Sequence, residues 1–158
     1  EHVQDLLNGL GCADVRTYLQ SGNVLFRARG APAQLACMIE KRLSETTRLP
    51  VSVIMRTPVQ LQRIIAANPF AQQAGEAPKT VHVTFLAGSV PKAAAAGIGK
   101  LQSGRDRWHA ERSEIYLWCP NGYGRTKLTN SALERALGVR ATTRNWNTHM
   151  ALHAMAPE

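Results

Sequence analysis

The sequence predicts an α+β protein of two tandem split β-α-β units, and three observations carry that prediction. Apolar residues switch repeatedly between helical spacing and strand alternation. Turn and stop signals fall between those segments rather than inside them. The elements run β-α-β-β-α-β over residues 79 to 144 and α-β-β-α-β over residues 3 to 56, the same pattern without its first strand. The composition permits this: 158 residues, 44% hydrophobic and 19% charged, bury a sizeable core without disulfide or metal support.

Val3, Leu6, Leu7 and Leu10 fall on one stripe of a first helix that Gly11 stops. Asp14 to Leu19 and Asn23 to Arg29 are strand-like runs joined through Gln20-Ser21-Gly22, where Gly permits a turn. A helix is expected from about Pro32 to Arg48, with Leu35, Ile39 and Leu43 inward and Pro50 ending it. Val51 to Arg56 is a β-branched strand candidate. Thr57, Pro58 and Gln60 then form a capping box with Pro at the first helical position.

Gln72 to Pro78 is poor in apolar residues and is the expected linker. The predicted division is therefore 1–71, the first unit with a linking helix, and 72–158, the second unit with a C-terminal helix. Lys79 to Ala87 alternates like a half-buried strand. An Ala-rich helix follows over Pro91 to Leu101, weakened by Gly97 and Gly99. Arg107 to Arg112 and Glu114 to Cys119 read as a hairpin, and Pro120 to Arg125 as a Gly-rich loop. Ser131 and Glu134 suggest a second capping box, Arg140 to Arg144 a short strand, and Asn147 the cap of a last helix. Both units thus read as ferredoxin-like, the first lacking its N-terminal strand. In that arrangement the strand order is 4-1-3-2. Strands at Asn23–Arg29 and Val51–Arg56 would then flank a gap, each unpaired buried group costing about 1–3 kcal/mol. Residues beyond this sequence, or another segment or chain, are expected to fill it.

Nineteen Lys and Arg against eleven Asp and Glu give +8. Such a balance favours anionic partners, but no run of adjacent cations resembles a nucleic-acid arm. Cys12, Cys37 and Cys119 are too few and too scattered for a disulfide framework or a zinc site. Cys37 and Cys119 read as small buried hydrophobes, and a reducing, cytoplasmic setting is expected. No apolar run approaches the ~20 residues that cross a bilayer, and no leader-like pattern opens the chain. A membrane partner is therefore not expected.

Three stretches carry a family resemblance: DVRTYLQSGNVLF (Asp14 to Phe26), NGYGRTKLTNSALERALGV (Asn121 to Val139) and ATTRNWNT (Ala141 to Thr148). In this order they resemble the signature segments of the bacterial family called domain of unknown function 1697. The resemblance implies two ferredoxin-like units and no established activity. Members open with a strand leading to an LRGINVGG-type loop, whereas this sequence begins at the helix after it.

Several constellations are chemically suggestive. Gly122-Tyr-Gly124-Arg125-Thr126-Lys127 lacks the G-x-x-x-x-G-K-[ST] spacing of a nucleotide-hydrolysing loop. It still offers backbone N–H groups and two cations before a helix N-terminus; the alternative is a plain connection with solvated charges. Arg144 could grip a phosphate or carboxylate and Trp146 stack on a base, or Arg144 could pair locally and Trp146 fill core, the reading favoured for Trp146. Ser21 has no G-x-S-x-G context, so a nucleophile is disfavoured. His149 and His153, four apart, read as a solvent-facing pair before a metal site. Trp108, Tyr116 and Trp118 suggest an aromatic platform, with Tyr116 and Trp118 facing away from the helices.

The sequence therefore points to a binding module for an anionic ligand, nucleic acid or a phosphorylated small molecule. Arg125, Lys127, Arg144 and Asn145 are its candidate contacts. No cofactor and no metal is indicated. An enzyme with a site between the units, or a self-associating structural protein, stand as alternatives, since the fold hosts all three.

Overall fold

The computed structural model describes residues 2–18, 22–101 and 104–156. The chain forms two compact units: one runs to Arg56 and takes in the residues from Ala154, the other is Thr57–His153. The expected boundary near residue 71 is displaced because the linking helix packs with the second unit. Antiparallel sheets and segregated helices make the protein α+β.

In the first unit α1 (His2–Gly9) buries Leu7 to 1% exposure. Gly11, at φ +92°, turns the chain so that Cys12 N donates to Leu7 O at 3.0 Å. β1 (Ala13–Tyr18) and β2 (Asn23–Arg27) form a two-stranded antiparallel sheet, interrupted between Ala13 and Arg16 by an irregularity at Asp14 (φ +53°). Gln20 and Ser21 lie outside the described residues. Beside them Asn23 Nδ2 donates to Tyr18 O, tying the turn to backbone as its sequence suggests.

α2 (Pro32–Thr47) presents Ile39 and Leu43 to the first core, with Leu35 half-buried, and ends in a left-handed Arg48. Cys37 is exposed, contrary to expectation. It stands two residues from both Leu35 and Ile39, on the opposite side of a 3.6-residue turn. Val51–Arg56 joins no ladder, so the strand expected there is not formed. Side chains of α2 take its backbone donors instead: Val51 N donates to Ser44 Oγ and Val53 N to Glu40 Oε2 at 2.6 Å.

The second unit opens with α3 (Pro58–Ala66) and the capping box its sequence announces. Gln60 N donates to Thr57 Oγ1 at 3.2 Å, and Thr57 N to Gln60 Oε1 at 2.8 Å. The expected linker is partly helical, α4 (Ala71–Glu76), because Ala74 finds a buried position.

β3 (Val81–Leu86), β4 (Arg107–Glu111), β5 (Glu114–Trp118) and β6 (Ala141–Asn145) form an antiparallel sheet in the order β4-β5-β3-β6. α5 (Ala95–Leu101) and α6 (Asn130–Leu137) cover one face, where Leu86, Ile98, Ile115, Leu117, Leu133 and Leu137 make the core. Gly97, which weakens α5, faces α6: a Cβ there would stand 3.5 Å from Ala136 Cβ, an ordinary van der Waals contact. The other face is covered too. Tyr116 Oη donates to Ile64 O of α3 at 2.8 Å, Arg63 pairs with Glu114 at 3.3 Å, and His149 of α7 (Trp146–Met155) stacks on Phe85. Hence all six residues of β3 are buried, rather than alternate ones.

Three further expectations are corrected. The cap of α6 is Thr129, whose Oγ1 accepts from Ala132 N, while Glu134 Oε2 accepts from Ala141 N instead of closing a box with Ser131. The cap of α7 is Asn145, whose Oδ1 accepts from Thr148 N; Asn147 lies inside the helix. His149 is wholly buried between Phe85 and Trp146 rather than solvent-facing, with Nε2 bonded to Leu61 O at 3.2 Å. Trp146, at 8% exposure, fills core as favoured.

Two measurements follow from this packing. Thr57→Ala removes the acceptor of a helix-end N–H and should lower unfolding free energy by about 1 kcal/mol in a denaturant titration. Burial, with His153 nearby, holds the His149 imidazole below its ordinary value, against the opposing bond to Leu61; burial also lowers His82. A depressed folded-state pKa means that stability is full above the unfolded histidine value, about 6.5, and falls as pH drops through the folded one. The unfolding free energy from denaturant titrations should therefore decline from pH 7 to pH 5, by at most about 1.4 kcal/mol per pH unit per histidine. His149→Phe should flatten that decline whatever it does to stability at neutral pH.

Candidate functional site

β6 separates two of the four residues expected to act together. Pairing opposite β3 sets His82 against Asn145 and Val83 against Arg144. Side chains alternate across a strand, so Asn145 shares the α5/α6 face with His82 while Arg144 leaves on the other. Arg144 Nη1 donates to Thr142 Oγ1 at 2.8 Å and to Thr143 O at 3.0 Å, and burial lowers its pKa. Asn145 is occupied as the α7 cap. Arg144 and Asn145, adjacent in sequence, therefore lie on opposite faces of the sheet.

Arg125 and Lys127 are brought together. A 3-10 turn at Tyr123–Arg125 delivers the chain to Thr126, whose backbone is extended. Arg125 and Lys127 are exposed while Thr126 and Leu128 are buried, so the cations stand on the outer side of one segment. Neither side chain has a hydrogen bond or ion pair among the described residues. The inward side is anchored firmly. Thr126 Oγ1 donates to Asp106 Oδ2 at 2.7 Å and accepts from Leu128 N at 3.1 Å. Burial pushes the Cys119 thiol up to about 11, opposed by its bond to Thr126 and reinforced by Asp106. A thiol held protonated there is a packing group, not a nucleophile.

The segment feeds the N-terminus of α6, where Thr143 Oγ1 donates to Asn130 Oδ1 and shares a hydrogen bond with Thr84. Next along β3 on this face is His82, 8% exposed, its ring 4.7 Å from that of Tyr123. Burial lowers its pKa, against a hydrogen bond with the Thr80 backbone, and Nδ1 has no partner. Periodicity marked His82 as the outward side of a half-buried strand, so its burial was not foreseen. Asp106 was missed as well, because its partner is 20 residues away.

The aromatic platform is broken up. Trp108 faces Leu117 and joins the α5/α6 core, whereas Tyr116 is buried under α3. Among the described residues no three His, Cys, Asp or Glu side chains gather as a metal would need, and no helix is long and apolar enough to cross a membrane. Two concavities lie in the first unit. One of about 470 Å³ runs over Ala33, Cys37 and Met38 of α2, the other, about 340 Å³, over Leu10, Ala13, Leu35, Arg27 and Arg29. None of the four expected contacts lines either. The larger is an open apolar surface without convergent polar groups, which a specific small-molecule site needs.

No curated protein matches the chain. The fold is similar to that of the conserved bacterial protein SP0830 from Streptococcus pneumoniae, with a TM-score of 0.76 and 16% identity, over 98% of this chain and 86% of that one. Residues 1–116 match the family described as "Protein of unknown function (DUF1697)". With that match spanning most of its length, the chain belongs to the DUF1697 family.

Proposed function

We propose that the second unit is a binding module for an anionic ligand, held at the loop Gly122–Lys127 and the N-terminus of α6. The observation that carries this reading is the outward pair Arg125 and Lys127, without a partner among the described residues while Thr126 between them is fastened inward. Cations without a carboxylate partner retain their whole interaction for an incoming anion. The α6 N-terminus adds the N–H groups of Asn130 and Ser131, which have no partner among the described residues, since Thr129 Oγ1 accepts from Ala132. His82 Nδ1, buried and unpartnered beside Tyr123, supplies a further polar group at the same end of the sheet.

The architecture behind this reading is two ferredoxin-like units. The second supports it with β-α-β-β-α-β succession in the order β4-β5-β3-β6. The first supports it with helix, hairpin and helix in succession. Cys12 and Cys119, buried and unbridged, are in keeping with a reducing, cytoplasmic setting. Phosphorylated small molecules and nucleic acid are the ligand kinds that such a site takes.

Titration with inorganic phosphate and with a nucleoside monophosphate, followed by amide NMR shifts, tests the site. Shifts should concentrate at Tyr123, Asn130 and Ser131 and shrink as salt is added. Lys127→Ala and Arg125→Ala should each weaken binding about two- to fivefold, the scale of an exposed ionic contact. Arg42→Ala, on α2, should change nothing. Absence of shifts at the α6 N-terminus at low salt would remove the reading.

A further inference from the structure

β4 ends the four-stranded sheet, and among the described residues no strand lies on its outer side. Which of its residues face that side follows from β5. Ser113 O accepts from Leu86 N and Cys119 N donates to Thr80 O, so the odd-numbered residues of this stretch turn their backbone groups toward β3. Glu114, Tyr116 and Trp118 therefore bond β4, through their partners Glu111, His109 and Arg107. That leaves the N–H and C=O groups of Trp108 and Ala110 pointing outward, with no partner among the described residues. Proteins usually blunt such an edge with a bulge or a proline. β4 has neither, and its pairing runs unbroken from Arg107 to Glu111.

The strand reads Arg107-Trp108-His109-Ala110-Glu111, an order complementary to itself. Turned antiparallel to a copy of itself about His109, it sets Arg107 against Glu111 and Trp108 against Ala110. We propose that β4 pairs in this register with β4 of a second copy of the chain, continuing the sheet across a twofold axis into a weak homodimer. Trp108 and Ala110 of each copy then exchange both N–H···O bonds with Ala110 and Trp108 of the other, and these are the groups the single chain leaves unpaired. A guanidinium meets a carboxylate at each end of the ladder. On the opposite face the wide, half-buried ring of Trp108 stands beside the small Ala110. A register shifted by two residues takes one end of the ladder outside β4. Other strands lack this complementarity. β2 and β6 carry an arginine and no acid, while β1 is irregular at Asp14, whose carboxylate Arg27 already holds at 3.0 Å. One five-residue edge is small beside a standard interface of about 1,600 Å², which is why the dimer is weak. Each copy has a single β4, so association closes at two. None of the anion-site residues takes part.

Sedimentation velocity at about 0.15 M salt, where repulsion between two chains of charge +8 is screened, measures the association at up to about 1 mM protein. A monomer–dimer equilibrium is expected. Arg107→Glu and Glu111→Arg each set like charges opposite one another at both ends of the ladder. Each should raise the dissociation constant about tenfold. The double variant Arg107→Glu/Glu111→Arg restores opposite charges and should bring the constant back toward that of the unsubstituted protein. Amide hydrogen exchange on the unsubstituted protein gives a second readout that no folding defect in a variant can disturb. Exchange at Trp108 and Ala110 should slow as protein concentration rises, while His109, already bonded to β5, should not change. A monomer throughout the range, growth past the dimer, or single reversals without effect would each overturn the inference. So would a double variant that associates no better than the singles. Equal protection of Trp108 and Ala110 at every concentration would mean that a segment of the same chain covers the edge, and would overturn it as well.

Discussion

β3 is bonded to β5 along one side and to β6 along the other, and helices close over both its faces. A strand so enclosed has no freedom to slip, because a shift of one residue would exchange Val81, Val83 and Phe85 with His82, Thr84 and Leu86. The rest of the second unit is positioned by that register. It fixes Tyr116 under Ile64, Phe85 under His149, and Thr84 beside Thr143. It also fixes which face His82 takes, and therefore where Tyr123 stacks and the cationic loop begins.

Features of the sequence that act over a few residues were legible. Thr57 and Gln60 announce their box because both partners lie within one turn. The stripe of α1, the hairpin at Arg112–Ser113 and the Gly138 stop of α6 are local in the same sense. Misreadings arose where a distant partner decided the outcome. Val51–Arg56 has strand composition, but Ser44 and Glu40 take its donors. Glu134 has the right spacing to cap with Ser131, yet Ala141 N claims its carboxyl group. His149 looked like a surface residue until Leu61, Phe85 and Trp146 were seen to enclose it.

The candidate site divides along the same line. Arg125 and Lys127 were recognisable because cations in a Gly-rich loop before a helix need no tertiary information to stand out. Arg144 and Asn145 were grouped by adjacency in sequence, which in a strand means opposite faces. The Asp106–Thr126 tie was invisible in advance. Nothing in Arg-Asp-Arg distinguishes a solvated acid from one buried against a hydroxyl, and only the fold joins it to Arg-Thr-Lys.

The buried polar atoms without partners sharpen the contrast between structural and functional strain. His149 Nδ1 and His82 Nδ1 each forgo a hydrogen bond, at a cost of about 1–3 kcal/mol on the usual scale. Phe85 and Trp146 stack against His149, so its deficit is part of a closed apolar wall and is offset by aromatic packing. His82 is closed off by Tyr123, a ring carried on a short turn that is entered through Gly122 at φ +97°. Two rings and the Leu61 carbonyl enclose His149, whereas among the described residues one ring, that of Tyr123, stacks on His82.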